Sequence, residues 1–274
     1  MEITGSIVTF HNKLEDIEKV IDSFLSTRLD VKLFVSDNSS DKKIEVLCKD
    51  YRIEYIYNGS NLGFGAAHNV AMKKAIERGS TYHVVLNPDI YFNSGVIEEL
   101  CDYMGKNTDV GLVMPKVLYP DGEIQYLAKF LPTPFNLIFR RFIPVKWILE
   151  KMNYKYEMRF TDYNKIMKVP FLSGCFMFLR VEALKKIGLF DEKIFMYLED
   201  VDLSRRIHKE YGTVFYPHVA IYHKYDKSSF KNNKTLRYHT QAAIYYFNKW
   251  GWFFDGERTS INRKVSELQN SDSE

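Results

Sequence analysis

The sequence predicts an α/β fold with a mostly parallel central sheet and flanking helices, and three observations carry that prediction. Short apolar runs alternate with stretches of helical spacing from residue 5 to residue 86. Polar and glycine-rich clusters fall just after those runs, and in open α/β sheets the strand carboxyl ends are where ligands gather. The chain has 274 residues and 46% hydrophobic content, enough for one large domain with a sizeable core.

Gly5 to Phe10 reads as the first strand, and Leu14, Ile17, Val20, Ile21, Phe24 and Leu25 recur at helical spacing after it. Val31 to Ser36 is a second strand, followed by Asp37-Asn38-Ser39-Ser40-Asp41, a turn and helix-cap cluster. Ile53 to Tyr57 is a third strand that enters the glycine-rich run Asn58 to Gly65. Ala66 to Arg78 then reads as a helix closed by Gly79. Tyr82 to Leu86 is a fourth strand, ending at Asn87-Pro88-Asp89.

The second half is less regular. Val110 to Tyr119 is a strand entering a Pro120-Asp121-Gly122 turn. Lys129 to Phe160 is a basic, aromatic, insertion-like segment with Phe135, Phe139, Arg140, Arg141, Phe142, Lys146 and Trp147. Val169 to Arg180 reads as one buried strand, Val181 to Ile187 as a helix, and Thr213 to Tyr222 as a strand pair broken at Pro217. Leu236 to Trp252 is an aromatic-rich helix, and the polar residues from about Ser266 are expected to fray. The expected organisation is a main domain over 1–225 with the insertion at 129–160, a helical extension over 226–265, and a disordered tail over 266–274.

Composition narrows the classes. A net charge of +3 is too mild to point to nucleic acid. Cys48, Cys101 and Cys175 are scattered and lack metal spacing, which reads as reduced thiols in a cytoplasmic protein. Met1 to Gly5 shows no basic region leading into an apolar run, so no signal peptide is expected. No stretch approaches the roughly 18 apolar residues of a spanning helix.

The densest chemical signal is Gly188 to Arg206, where Glu199, Asp200 and Asp202 fall within four positions, behind aromatics and ahead of two arginines. Acidic residues favour a helix N-terminus, but this density also suits a general base beside a second acceptor for a hydroxyl. Asp37 closes the second strand as a helix cap or as a base or ribose contact, with Thr9 and His11 facing the same crevice. The Asn61 to Gly65 loop lacks both the dinucleotide-binding glycine spacing and a Walker lysine. Its glycines therefore serve a close backbone approach or a sharp turn, and Asn69 lies within reach of the crevice from the next helix. Asn87-Pro88-Asp89 is a plain turn or an oxygen pair for a hard divalent cation that also binds diphosphate. His223, at the end of the last strand, is a metal ligand, a diphosphate contact or an ordinary histidine.

Together these segments resemble the family 2 glycosyltransferases of the GT-A fold, over about Ile3 to His223. The likeness rests on Ile7 to Asn12, Val35 to Ser40, Asn61 to Asn69, Asn87-Pro88-Asp89, Ser173 to Met177 and Phe190 to Arg206. The NLGFG and NPD forms are most similar to bacterial rhamnosyltransferases that build O-antigen and other cell-wall polysaccharides. The resemblance implies that Thr9, His11 and Asp37 hold the nucleotide, and that Asn61, Gly63 and Asn69 line the donor pocket. It places Asp89 on Mg2+ or Mn2+ with Asn87 beside it and His223 near metal and diphosphate. It makes Asp200 the catalytic base and Glu199 its neighbour on the acceptor side. Gly174 lies under the sugar and Arg206 steadies the acidic motif among the donor-side residues. The usual Asp-x-Asp is Asn-Pro-Asp here, leaving one carboxylate for metal.

The leading expectation is an inverting transferase that moves L-rhamnose from dTDP-L-rhamnose to a hydroxyl of a lipid-linked saccharide. The alternatives are a UDP-hexose or UDP-N-acetylhexosamine donor, a nucleotidyltransferase, or a non-catalytic sugar-nucleotide-binding module. A nucleotidyltransferase would want a basic, glycine-rich loop after the first strand, where this chain has His11-Asn12-Lys13-Leu14. An intact Asp89, Glu199 and Asp200 set argues against a dead site. The insertion, with Lys231, Lys234, Arg237, Lys249, Trp250, Trp252, Phe253 and Phe254, suits an interfacial patch. That patch predicts peripheral contact with the cytoplasmic face of the inner membrane. A homodimer interface or an aromatic core are the competing readings.

Overall fold

A computed structural model describes residues 1–138, 145–224 and 233–271. Phe139, Arg140, Arg141, Phe142 and Lys231 of the basic segments, and 272–274 of the expected tail, lie outside the described residues. The chain runs β1 (Ile3–Thr9), α1 (Leu14–Leu25), β2 (Val31–Asp37), β3 (Ile53–Tyr57), α2 (Phe64–Glu77), β4 (Tyr82–Leu86), β5 (Ile90–Tyr91), α3 (Val96–Lys106) and β6 (Val110–Leu118). It continues through β7 (Ala128–Lys129), α4 (Pro134–Leu137), α5 (Lys146–Tyr156), β8 (Met167–Lys168), β9 (Phe171–Leu172), β10 (Phe176–Arg180) and α6 (Val181–Ile187). It closes with α7 (Glu199–Glu210), β11 (Gly212–His223), α8 (Asn233–Trp250) and α9 (Gly256–Ser271).

The main sheet has the order β3-β2-β1-β4-β10-β6-β11-β5, with β8 pairing β11 off this path. β3, β2, β1 and β4 are parallel to one another, and β11 is parallel to β6. β10 runs antiparallel between β4 and β6. Every residue of β1 and of β4 is buried, as expected of strands covered on both faces. α1 lays Ile17, Val20, Ile21 and Phe24 onto the sheet. No helix among the described residues is long and apolar enough to cross a membrane.

Three sequence expectations are corrected. The apolar run Val169 to Arg180 is two strands, because Ser173-Gly174 turns out of the sheet to meet α7. β9 pairs β7 in a separate ribbon, and β10 joins the main sheet. Thr213 to Tyr222 lies within one strand, whose register against β6 slips between Tyr216 and Ala220; the bulge absorbs Pro217, which has no N–H for the ladder. α9 continues to Ser271, past the point of expected fraying, because it buries Val265 and Asn262 exchanges hydrogen bonds with the Leu131 backbone.

The C-terminal helices pack on α7. Arg205, only 1% exposed, makes a two-pronged pair with Asp255 at 2.7 and 2.8 Å. It also donates to Glu257 at 2.9 Å and stacks 4.1 Å over the Trp250 ring. Lys249 and Trp250 both reach Asp202. These two residues therefore belong to a brace on the acidic helix, which corrects their assignment to an interfacial patch.

Candidate active site

The carboxyl ends of β2, β1 and β4, the β9–β10 turn, the start of α7 and the end of β11 form one edge of the molecule. Three groups of side chains lie along it.

The first group closes β1 and β2. Asp37 is fully buried, and its Oδ1 accepts from the Thr9 hydroxyl and the Ser39 N–H, each at 2.9 Å. Its Oδ2 accepts from the Tyr55 hydroxyl at 2.8 Å. Asp37 thus organises the loop rather than presenting an open carboxylate. Burial, and after it the bond to Asp37, pushes the Tyr55 phenol up. His11 is exposed with φ of +53°, a left-handed backbone costly for a residue with a Cβ, and its N–H donates to Ser39 Oγ at 2.9 Å. Asn61 Oδ1 accepts from Gly63 N at 3.0 Å and from Asn38 Nδ2 at 3.3 Å, so Asn61 shapes the glycine loop from within.

That loop approaches protein. Gly63 has φ of +87°, and a Cβ there would sit 2.2 Å from the Phe195 carbonyl oxygen. The Phe64 N–H donates to that same oxygen at 3.0 Å. Gly63 therefore seats α2 on the aromatic loop. Asn69 meets the same loop. It is 2% exposed, its amide exchanges hydrogen bonds with the Phe190 backbone at 2.9 and 3.0 Å, and Nδ2 also reaches Glu192 at 3.0 Å.

The second group follows β4 and β11. His223 Nε2 lies 3.4 Å from Asp89 Oδ1 and 3.4 Å from Asn87 Nδ2. Asp89 keeps 30% of its side chain exposed, while the His223 side chain keeps 6%. The Lys224 N–H donates to the Asp89 carbonyl at 3.0 Å, which fixes the two turns together. Gln125, a residue the sequence reading missed, contacts the far side of His223 at 3.0 Å.

The third group surrounds Asp200. The Asn87 N–H donates to the Cys175 carbonyl at 2.9 Å, joining the second group to the β9–β10 turn. From that turn the Gly174 N–H donates to Asp200 Oδ2 at 2.9 Å, and the Val201 N–H donates to Oδ1 at 2.8 Å. A Cβ on Gly174 would lie 3.2 Å from the Asp200 Cβ, so glycine lets the turn close on the carboxylate. Burial pushes the Asp200 carboxyl above its ordinary value, opposed by those two N–H groups and by the Lys129 charge. Lys129, which lies 5.8 Å from the Tyr156 ring and 6.0 Å from Phe171, is a further site residue with no local sequence signal beyond basic character. Tyr197 and Leu198, just before α7, carry φ of +71° and +66°. Such consecutive left-handed residues store strain of the kind that collects at functional sites.

Glu199 does not share the open side with Asp200. It is 5% exposed, and Oε2 has no hydrogen-bond partner among the described residues. Burial, then the neighbouring Asp200 charge, holds its carboxyl well above the ordinary range. Glu199 is thus an enclosed group, while Asp200 beside it stays partly exposed. Arg206 donates to Asp202 at 2.9 Å and to the carbonyls of Ile187, Gly188 and Leu189. It steadies the acidic motif by tying α7 to the loop before it.

Comparison with known proteins gives a consistent answer. The family model described as Glycosyl transferase family 2 matches residues 6–188. The N-acetylglucosaminyl-diphospho-decaprenol L-rhamnosyltransferase of Mycobacterium tuberculosis is 27% identical over 210 residues, covering 73% of this chain and 68% of that protein. Rhamnosyltransferase WbbL of Escherichia coli K12 is 24% identical over 250 residues, covering 88% and 90%. Among solved structures, GalNAc-T7 with UDP, GalNAc and Mn2+ superimposes with a TM-score of 0.62 at 14% identity, over 88% of this chain and 47% of that one. TarS of S. aureus gives 0.57 at 15% identity, over 90% of this chain and 40% of that one. The chain thus spans under half the length of these two proteins, and at such identities the likeness shows the fold alone.

Proposed function

Because the chain belongs to glycosyl transferase family 2, and folds as a GT-A glycosyltransferase, we propose that it transfers L-rhamnose from dTDP-L-rhamnose to a hydroxyl of a lipid-linked saccharide, with inversion. The observation that carries the mechanism is Asp200, a half-buried carboxylate held by two backbone N–H groups and joined through Cys175 and Asn87 to Asp89 and His223. A raised carboxyl pKa suits a general base, since it strengthens the proton affinity of the ionised form. Asp200 takes the proton of the acceptor hydroxyl. The freed oxygen attacks the anomeric carbon on the face opposite the nucleoside diphosphate, and configuration inverts.

The residues present fit a divalent cation with few protein ligands. Asp89 offers one carboxylate and His223 one ring nitrogen, while no group of three or more His, Cys, Asp or Glu gathers among the described residues. That set suits Mg2+ or Mn2+, whose other ligands are diphosphate oxygens and water. When bound, such an ion stabilises charge on the departing diphosphate. Thr9 and Asp37 shape the nucleotide end through the Ser39 loop, and His11 and Asn61 flank it.

The rhamnose and lipid-linked assignments draw their support from the names of the mycobacterial and Escherichia coli relatives. Family membership sets aside the nucleotidyltransferase. Nucleoside diphosphate release from a panel of sugar nucleotides, with Mg2+ or Mn2+ and then EDTA, tests the reading. Metal-dependent turnover of dTDP-rhamnose supports it. Turnover of a UDP-hexose or UDP-N-acetylhexosamine alone keeps the mechanism and overturns the donor.

Membrane docking stands on Phe253 and Phe254, which are 67% and 100% exposed on the turn between α8 and α9. Exposed aromatics of this kind suit the bilayer interface. Flotation with anionic liposomes at low salt checks this reading, and recovery only in the unbound fraction removes it.

A further inference from the structure

We propose that Gln125 is a positioning residue that fixes the His223 ring with its Nε2 lone pair toward Asp89, where a diphosphate-bound cation would be met. The inference rests on the functional reading above and assigns a role to a residue outside every motif of the sequence.

Gln125 is 4% exposed and lies 98 positions from His223 in the chain. The turn at Pro120 to Gly122 folds back along the end of β6, and the Gln125 N–H donates to the Val117 carbonyl at 2.8 Å. Its side-chain amide then meets His223 twice. Nε2 donates to the His223 backbone carbonyl at 2.8 Å, and Oε1 lies 3.0 Å from the ring Nδ1. The same Nε2 reaches the Leu118 carbonyl at 3.4 Å. Swapping the amide would aim its oxygen at two carbonyl oxygens, so the orientation is determined.

With Oε1 as acceptor, Nδ1 of His223 carries the proton. The ring then turns Nε2 toward Asn87 Nδ2 and Asp89 Oδ1, each at 3.4 Å. A partner on the distal nitrogen is how proteins commonly fix the tautomer and angle of a ligating histidine. Gln125 also holds the backbone of His223, and the next residue holds the Asp89 carbonyl, so ring and turn are set as one unit.

The test uses the full chain with Q125M, which keeps the side-chain length but loses both bonds, and Q125E, which keeps an acceptor for Nδ1 but turns its second oxygen toward the His223 and Leu118 carbonyls. In nitrogen-15 spectra of the metal-free protein, wild type is expected to show His223 protonated at Nδ1, and Q125E to keep that proton there. Q125M is expected to show mixed tautomers. Mn2+ affinity, measured with dTDP and with UDP present, should fall about 10–100-fold in Q125M. Melting curves establish that each variant is folded. A wild-type tautomer pattern in folded Q125M overturns the proposal, as does unchanged Mn2+ affinity there. Absence of Mn2+ binding by wild type with either nucleotide overturns the metal reading of the site instead, and the tautomer spectra still decide on Gln125.

Discussion

Asp202 and the Glu199–Asp200 pair share the first turn of α7, yet their surroundings are opposite. Asp202 is fully buried and saturated: Arg206 Nε at 2.9 Å, Trp250 Nε1 at 2.8 Å and Lys249 Nζ at 2.8 Å all reach it. Asp200 receives two backbone N–H groups, and Glu199 keeps an oxygen with no partner among the described residues. A carboxylate given cations is a fastener, because its charge is compensated in the folded state. A carboxylate held chiefly by backbone N–H groups in a buried setting keeps more of its appetite for a proton. Proximity in sequence therefore says little about role; the partners do.

The largest expected effect comes from Asp200→Asn. It removes the proposed base, for which a loss of about 10²–10⁴-fold is expected, while dTDP binding by calorimetry stays near wild type. A folded variant that loses nucleotide binding would place Asp200 on the donor side instead. Next is Asp202→Ala, which strips the saturated carboxylate from beneath Lys249 and Trp250. Its expected cost is about 3 kcal/mol in urea unfolding; a loss confined to turnover, with stability intact, would erase the contrast between the two sites.

Glu199→Gln probes the enclosed carboxyl group. Its folded carboxyl sits well above the ordinary 4.5, so its contribution is full below that value and is lost as pH rises through the folded one. The variant lacks that loss. Its urea midpoint should therefore gain on wild type as pH climbs above 4.5. Parallel curves would mean that Glu199 ionises without cost. The smallest effect is expected from Lys129→Gln. Lys129 lowers the Asp200 carboxyl, and the base works only when ionised, so removing it should move the acid limb of the pH–rate profile to higher pH. A limb that stays in place would detach Lys129 from the base.

Much of this architecture is written locally. The strands from Ile3 to Leu86 announce themselves by apolar runs, and Asp37, Asn87 and Asp89 by turn chemistry at their ends. Asp200 and Gly174 were also within reach, because acidic density and glycine mark a tight loop–helix junction. What could not be read is pairing across distance. Asn69 looks into the crevice on a helical wheel, but its partner Phe190 lies 121 residues away. The glycine of Gly63 answers to Phe195, 132 positions along the chain. Lys249 and Trp250 resemble a membrane patch until Asp202 is seen beneath them. Gln125 has no signal at all, since a lone glutamine after a turn is ordinary until His223 meets it.

The brace on α7 also bears on the order in which the molecule becomes competent. Arg205 lies 50 residues before Asp255 and 52 before Glu257. During synthesis, at roughly 5–20 residues per second, the acidic turn leaves the ribosome seconds before the groups that anchor its helix. The nascent polypeptide thus passes through an interval in which its strands have partners while its acidic turn is not yet braced, and the brace arrives late, with the aromatic helix.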